Sequence, residues 1–286
     1  MRNNEDRLGA INQGESPPTQ QYAQSDSQPE QPLQFVTPTE FVELPSRGEF
    51  YPENHPLYKK DTIEIRYMTA KDEDILTSRT LLKKGVAIDR FLQNIIVNKS
   101  IQVEGLLVGD KNAIVVASRI SGYGASYDAK VNCPSCGENT DFTFDLSECA
   151  IGSSKKHEEL GIEMTDRRTF IIHADRMNAD VEVKLMTSKE ETHLVQVMER
   201  KRKKKLPESN LTDQLRTIIV SVNGNNDRQY IESFINNLPA IDSRKIRGFY
   251  QEIVPNLDMN QDFTCSECDS EGEVNVPFGA GFFWPK

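Results

Sequence analysis

Hydrophobic and polar residues alternate along "TIEIRYM", residues 62–68, as they do in a strand that buries one face. The next stretch, "TAKDEDILTSRTLL", begins at Thr69 and carries Asp72 and Glu73 in its first turn. A threonine at the N-cap satisfies a free backbone N–H, and acidic residues in the first turn favour the positive end of the helix dipole. The pattern predicts a strand that leads directly into a helix.

The same pattern occurs a second time, later in the chain. "VEVKLMTSKEET", residues 181–192, matches "IEIRYMTAKDED", residues 63–74, including the shared Met-Thr and the acidic first turn. Three further matches follow in the same order: "LQNIIV" with "LRTIIV", "SRISGY" with "SRKIRGFY", and one Cys-x-x-Cys pair with another. The offset grows from 118 residues at Met186 to 132 residues at Cys265, as enlarged loops in a second copy would produce. We therefore predict an internal duplication.

The predicted fold class is α+β, with two related strand-helix-knuckle modules. Each module runs from a strand through helices to a strand with a Cys-x-x-Cys turn, or knuckle, and then a return strand. The first module is predicted at residues 61–149, a connector at residues 150–180, and the second module, with an aromatic C-terminal tail, at residues 181–286.

Two segments precede the first module. Residues 1–36 are rich in Gln, Ser and Pro and have almost no aliphatic residues, so we predict a disordered polar arm. Residues 37–60 place four prolines and a glycine among aromatic and aliphatic residues. This composition is typical of an extended segment that docks on a surface, and not of a helix or a central strand.

The two knuckles predict a metal site made of Cys133, Cys136, Cys265 and Cys268. Each Cys-x-x-Cys turn lets two thiolates converge on one ion, and two such turns complete a tetrahedral site. Because protein fills all four positions, the predicted Zn²⁺, one per chain, is structural and joins the modules in a zinc-ribbon-like arrangement. The alternatives are reduced cysteines without metal and a redox pair, which the absence of a helix start disfavours. Cys149 has no counterpart and no predicted chemical role.

Charge and hydropathy argue against nucleic-acid-binding, membrane-bound and secreted proteins. The formal net charge is −10, the isoelectric point about 5.1 and the mean hydropathy −0.57. Such an acidic chain repels nucleic acid and anionic membranes. No apolar run approaches the roughly 18 residues of a membrane span, and the N-terminus lacks the apolar core of a signal peptide. We expect the chain to stay in the cytoplasm, with reduced cysteines.

Basic residues are concentrated in one place in this acidic chain, the run "ERKRKKK" at residues 199–205. The alternative function is therefore a zinc-ribbon nucleic-acid-binding protein that contacts phosphates through Lys201, Arg202, Lys203, Lys204 and Lys205. We favour a solvated helix end, because basic residues suit the C-terminus of a helix and the run has no aromatic residue for base stacking.

No catalytic motif is present in the sequence. The four histidines are scattered, and neither a nucleophile motif, a Walker loop nor a dinucleotide fingerprint accompanies them. Glu190 and Glu191 resemble paired carboxylates, but their place in a first helical turn predicts capping. We predict no enzymatic activity and no small-molecule substrate.

The chain closes with "VPFGAGFFWPK", in which Phe282, Phe283 and Trp284 follow the Gly-Ala-Gly at residues 279–281. These rings either fold back over the second knuckle as part of a small core or bind another subunit, where tryptophan often dominates affinity. The flexible tether favours the second interpretation, so the three residues are predicted to contact a partner.

Several stretches together resemble a known family. They are "VELPSRGEFYPENHPL", "IEIRYMTAKDEDIL", "KKGVAIDRFLQNIIV", "CPSCG", and "FTCSEC" with the terminal "VNVPFGAGFFWPK". Over most of residues 40–286 they resemble the baseplate hub assembly subunits of contractile-tailed bacteriophages of the T-even type. The resemblance implies a non-enzymatic hub component or assembly factor, whose partners are other baseplate hub proteins and the central spike. It also implies a location in the host cytoplasm during assembly, and in the virion if the protein is retained.

Overall fold

A computed structural model describes residues 36–152, 156–278 and 282–283. The predicted disordered arm lies outside these residues except for Val36, and so does Trp284 in the tail. Within the described ranges, no helix is both long and apolar enough to cross a bilayer.

Runs of helices and runs of strands both occur along the described chain, which confirms the mixed helix-and-strand class. The strands are β1 (Thr39–Glu43), β2 (Thr62–Arg66), β3 (Ser126–Asn132), β4 (Asn139–Asp145), β5 (Glu163–Met164), β6 (Phe170–Ala174), β7 (Ala179–Val183), β8 (Ile219–Val222), β9 (Asn260–Thr264) and β10 (Glu271–Asn275). The helices are α1 (Ala70–Thr77), α2 (Arg79–Lys84), α3 (Ala87–Ile95), α4 (Val108–Tyr123), α5 (Lys156–Glu159), α6 (Ser188–Lys203), α7 (Asn210–Ile218), α8 (Arg228–Asn237) and α9 (Ala240–Ile253).

The strands form small antiparallel sheets. β1 pairs with β2, β3 with β4, and β9 with β10, while β5, β6, β7 and β8 form a four-stranded sheet in that order. A single buried cluster of hydrophobic side chains runs through both halves of the chain, from Val42 to Phe283. The two halves therefore share one core.

The first strand-helix unit forms as its sequence predicts. The Thr69 N–H and Oγ1 donate to Asp72 Oδ2 at 2.9 and 2.7 Å, so the start of α1 is capped. Arg66 donates to both oxygens of Asp72, at 2.6 and 2.9 Å. Burial raises the pKa of Asp72, but hydrogen bonds from Arg66, Thr69 and Asn94 outweigh it and lower the pKa to about 2.

The second strand-helix unit has the same local structure. The Thr187 N–H and Oγ1 donate to Glu190 Oε2 at 2.9 and 3.1 Å, which caps the start of α6. Lys184 donates to the other oxygen of Glu190. The cation, the threonine and the acid occupy the matched positions of the repeat, so the two segments fold alike locally.

In both strand-helix units, a residue directly after a later helix pairs with the strand that begins the unit. Ile65 in β2 forms a bridge with Ile96, directly after α3. Val183 in β7 lies opposite Ile219, directly after α7. These four residues are matched pairs in the sequence repeat, and each pair brings a helix end back onto its own strand.

Residues 37–60, predicted as a docking segment, pack into the protein's own core. The segment forms β1 and then a series of turns, and Leu44, Phe50 and Leu57 are buried. Prolines prevent a helix here, as expected, but the aromatic and aliphatic residues bury their side chains within this chain.

A buried carboxyl ties this segment to α4. Asp110 is fully buried and accepts hydrogen bonds from the Ser46 N–H at 2.9 Å, the Ser46 hydroxyl at 2.6 Å and the Tyr51 hydroxyl at 2.7 Å. Burial raises the pKa of Asp110, although these hydrogen bonds oppose the shift. Such a buried acid needs all three donors, so the turns that supply them are structurally required.

Replacing Gly48 with alanine should destabilise these turns strongly. Gly48 has a φ of +70°, and an added Cβ would lie 2.2 Å from the Leu57 carbonyl oxygen. We expect the free energy of unfolding to fall by about 3 kcal/mol, because backbone strain and a clash add together. Gly85→Ala is the matched control, since its φ is +68° and nothing lies within 4 Å; it should cost about 1 kcal/mol. Equal losses in chemical denaturation would contradict this explanation.

Candidate metal centre

The tips of two hairpins bring the four predicted cysteines together. The Sγ atoms of Cys133, Cys136, Cys265 and Cys268 all lie within 4.8 Å of one another. Cys133 Sγ is 3.8 Å from Cys268 Sγ, and Cys136 Sγ is 3.8 Å from Cys265 Sγ. Each short contact therefore joins one knuckle to the other.

These distances fit a tetrahedral zinc ion. A zinc–sulfur bond of about 2.3 Å in a regular tetrahedron separates the sulfur atoms by about 3.8 Å. A disulfide would need about 2.05 Å, so the cysteines are not arranged as oxidised pairs. Four thiolates in tetrahedral geometry suit zinc or iron, and no position of such a site remains open for a substrate.

The backbone forms each knuckle in the same way. In the first, the Cys133 N–H donates to the Glu138 carbonyl at 2.8 Å, and the Gly137 N–H donates to the Cys133 carbonyl at 2.9 Å. The second repeats both bonds, at 3.0 Å each, from Cys265 to Ser270 and from Asp269 to Cys265. Gly137 and Asp269 both have a left-handed φ, of 79° and 53°, which the tight turn requires.

Electrostatics within the cluster favour a cation. The N–H of Cys136, and that of Ser135, hydrogen-bond to the Cys133 sulfur and lower the pKa of this thiol to about 6. The Ser270 N–H lowers the pKa of Cys268, but neighbouring thiols including Cys136 outweigh it and raise the pKa to about 12. One thiolate is stabilised and a further one is opposed, and a bound cation would stabilise the thiolate form of both.

The two hairpins also meet below their tips. The Phe142 and Phe263 rings pack edge to face, with centroids 5.4 Å apart. Gln261 Oε1 accepts from the Asp145 N–H at 3.1 Å, and its Nε2 donates to the Asp145 carbonyl at 2.6 Å. Sequence reasoning missed Gln261; the available signal was a polar residue at an inward-facing position of β9.

The tail residues Phe282 and Phe283 lie inside the protein, with 3% and 2% of their surface exposed. The Phe282 ring packs edge to face against Tyr127 at 5.0 Å, and Phe283 packs against Phe91 at 5.3 Å. The prediction that these two rings enter a partner is corrected here: both belong to this chain's own core. The predicted contact of Trp284 lies outside the described residues.

A buried arginine holds the tail in place. Arg119 is 1% exposed; its Nε donates to the Phe282 carbonyl at 2.7 Å, and its terminal nitrogens donate to the carbonyls of Gly124 and Ser126 at 2.6 and 3.0 Å. Burial lowers the pKa of Arg119. One signal for this role was present and unused: an arginine within the largely apolar helix "AIVVASRISGY".

The basic run ends α6, as the preferred interpretation predicts. Lys201 pairs with Asp213 and Lys203 with Glu199, while no cation of the run stacks on an aromatic ring within the described residues. The nucleic-acid alternative thus gains no support from the geometry.

Comparison with known proteins gives one match. A family model described as T4 bacteriophage base plate protein matches residues 38–284, which include both knuckles and the two tail phenylalanines. Neither a curated protein nor a solved structure matches the chain significantly. Because the family match spans most of the chain, this protein belongs to the T4-type bacteriophage baseplate protein family.

Proposed function

We propose that this baseplate protein acts at the central hub, as a hub component or as a hub assembly factor, through contacts with other hub proteins and the central spike. The observation that carries the proposal is the family match, which covers residues 38–284 as one unit. The hub role itself rests on the resemblance of residues 42–57, of the strand-helix and knuckle sequences and of the tail. The proposed locations are the host cytoplasm during assembly and the tail baseplate of the virion.

The proposed metal is one structural Zn²⁺ held by the four cysteines. Its support is the sulfur geometry, with both cross-knuckle distances at 3.8 Å. When bound, zinc would connect the first knuckle, residues 133–136, to the second, residues 265–268. The chain between the two knuckles would then form one closed loop. A zinc-ribbon-like arrangement of the two hairpins is part of this proposal.

The proposed origin of the architecture is a duplicated module. Matched residues cap α1 and α6, matched residues pair behind α3 and α7, and both knuckles use the same backbone bonds. Two units that fold alike and meet at one ion would explain why the cysteine pairs lie so far apart in sequence.

A non-catalytic role fits the chemistry of the described residues. A site closed by four thiolates offers no coordination position for water or substrate. Glu190 caps α6, and Glu191 pairs with Lys111 at 3.1 Å, so the acidic pair has structural partners. The family is one of baseplate structural proteins, which agrees with this proposal.

A stop codon in the gene of the encoding phage tests the hub role. We expect tails without a complete central hub by electron microscopy, and restoration when the protein is supplied from a plasmid. Mass spectrometry of purified virions then separates the two forms of the proposal, because a component is retained and an assembly factor is not. Complete, infectious particles without the protein would contradict both forms.

A further inference from the structure

The C-terminal end of α6 carries cations without partners. Those that are exposed and form no ion pair within the described chain are Arg200, Arg202, Lys204 and Lys205. A helix end needs only about half a unit of positive charge to balance its dipole, and like charges one turn apart repel. Leu206 beside them is 51% exposed. We call residues 200–206 the basic tip.

The second knuckle hairpin carries the opposite charge. Its exposed carboxylates, none of which forms an ion pair within the described chain, are Asp262, Glu267, Asp269, Glu271 and Glu273. No lysine or arginine occurs between residues 256 and 278. Phe278, at the base of the hairpin, is 44% exposed. We call residues 260–275 the acidic hairpin.

We propose that the basic tip of one copy docks on the acidic hairpin of a second copy. Within the described residues, neither surface has counter-charges in its own chain. The two surfaces are opposite in charge, and each has an exposed apolar side chain beside it. The two surfaces lie at different places on one chain, so the contact is head to tail. It joins two copies into a closed pair when both contacts form together, and more copies into a ring when the rotation between them closes. It forms whether or not the chain acts at a hub.

The overall charge does not prevent this contact. Two chains of net charge −10 repel at long range. The Debye length at physiological salt is about 8 Å, so distant charges are screened while the docked charges, a few ångström apart, still attract. The association should therefore weaken as ionic strength rises further.

Sedimentation velocity of the full zinc-loaded chain tests the proposal across a concentration series. The wild type should associate, and less so at about 0.5 M salt than at 0.1 M. The paired substitutions Arg202→Glu with Lys204→Glu, and separately Glu271→Lys with Glu273→Lys, should each raise the dissociation constant about tenfold or more. An equimolar mixture of the two variants should form a one-to-one complex, because each retains the surface that the other needs.

Two controls keep the outcome interpretable. Lys60→Glu with Lys71→Glu makes the same change in net charge as the basic-tip variant, at exposed lysines elsewhere, and should leave association unchanged. Zinc content and melting temperature should match the wild type in every variant, since the substituted side chains are exposed and unpaired. A monomeric wild type, variants that associate as the wild type does, or a mixture that stays monomeric would each overturn the proposal without affecting the hub role.

Discussion

Replacing Cys265 and Cys268 together with serine should remove the bound zinc and lower the melting temperature by about 10 °C or more. Zinc binding contributes on the order of 10 kcal/mol in zinc-finger peptides, and each kcal/mol changes the melting temperature of a chain this size by about 2–4 °C. The loss should reach both hairpins, because Phe142 and Gln261 join the two hairpins below the four cysteines. Differential scanning calorimetry measures it.

Cys149→Ser is the matched control for this prediction. Cys149 is half-buried and lies outside the cluster of four sulfur atoms. The Cys149→Ser variant should therefore retain zinc and most of the stability of the wild type. Chelation of the wild type should reproduce the double variant, and added zinc should reverse it. A double variant with the melting temperature of the wild type would show that the two knuckles stay packed together without metal.

Replacing Phe282 with alanine should cost about 3–5 kcal/mol of unfolding free energy, and Phe283→Ala a similar amount. Both rings are almost fully buried against aromatic neighbours, so each substitution leaves a cavity. Removing residues 279–286 should add a further loss, because Arg119 would then be buried with one carbonyl partner fewer. Urea denaturation of the purified variants measures these losses.

Phe41→Ala is the control of matched residue type, since Phe41 is 70% exposed on β1. It should cost less than about 1 kcal/mol. The tail variants could instead keep the wild-type stability and lose association with other baseplate proteins. That result would show that the tail is a docking element and that Phe282 and Phe283 do not pack in this chain's own core.

The local parts of the fold could be predicted from the sequence. Alternation in β2 and the threonine-acid pairs at Thr69 and Thr187 are determined by neighbours a few residues away, so pattern and capping chemistry identify them. The cysteine cluster is non-local, yet it too was predictable. Two knuckles at equivalent places in a repeat imply a single shared site more strongly than either does alone.

The interpretation of the tail failed for a physical reason. A glycine-containing tether before three aromatic residues is compatible with a free anchor and with a chain that turns back into a cavity. The choice depends on the space left by Tyr127 and Phe91 and on the carbonyl acceptor offered to Arg119. Those contacts join residues more than 150 positions apart in the chain, and no local pattern encodes them.

The turns of residues 37–60 show the same limit. After β1 the segment forms turns and not the extended chain that was predicted. Its prolines exclude a helix, and so the absence of a helix was predictable. That Ser46 and Tyr51 donate to a buried Asp110 was not, because an aspartate in a helix ordinarily remains exposed.

Native mass spectrometry of the purified full chain tests directly whether one zinc ion joins the two knuckles. We expect a mass increase of a single zinc per chain in the wild type and in Cys149→Ser. We expect no zinc when either Cys133 and Cys136 or Cys265 and Cys268 are replaced with serine. Loss of metal in both double variants is required, because one shared ion needs both knuckles. A wild-type chain without metal, or a double variant that keeps its zinc, would show that the two knuckles do not share one zinc ion.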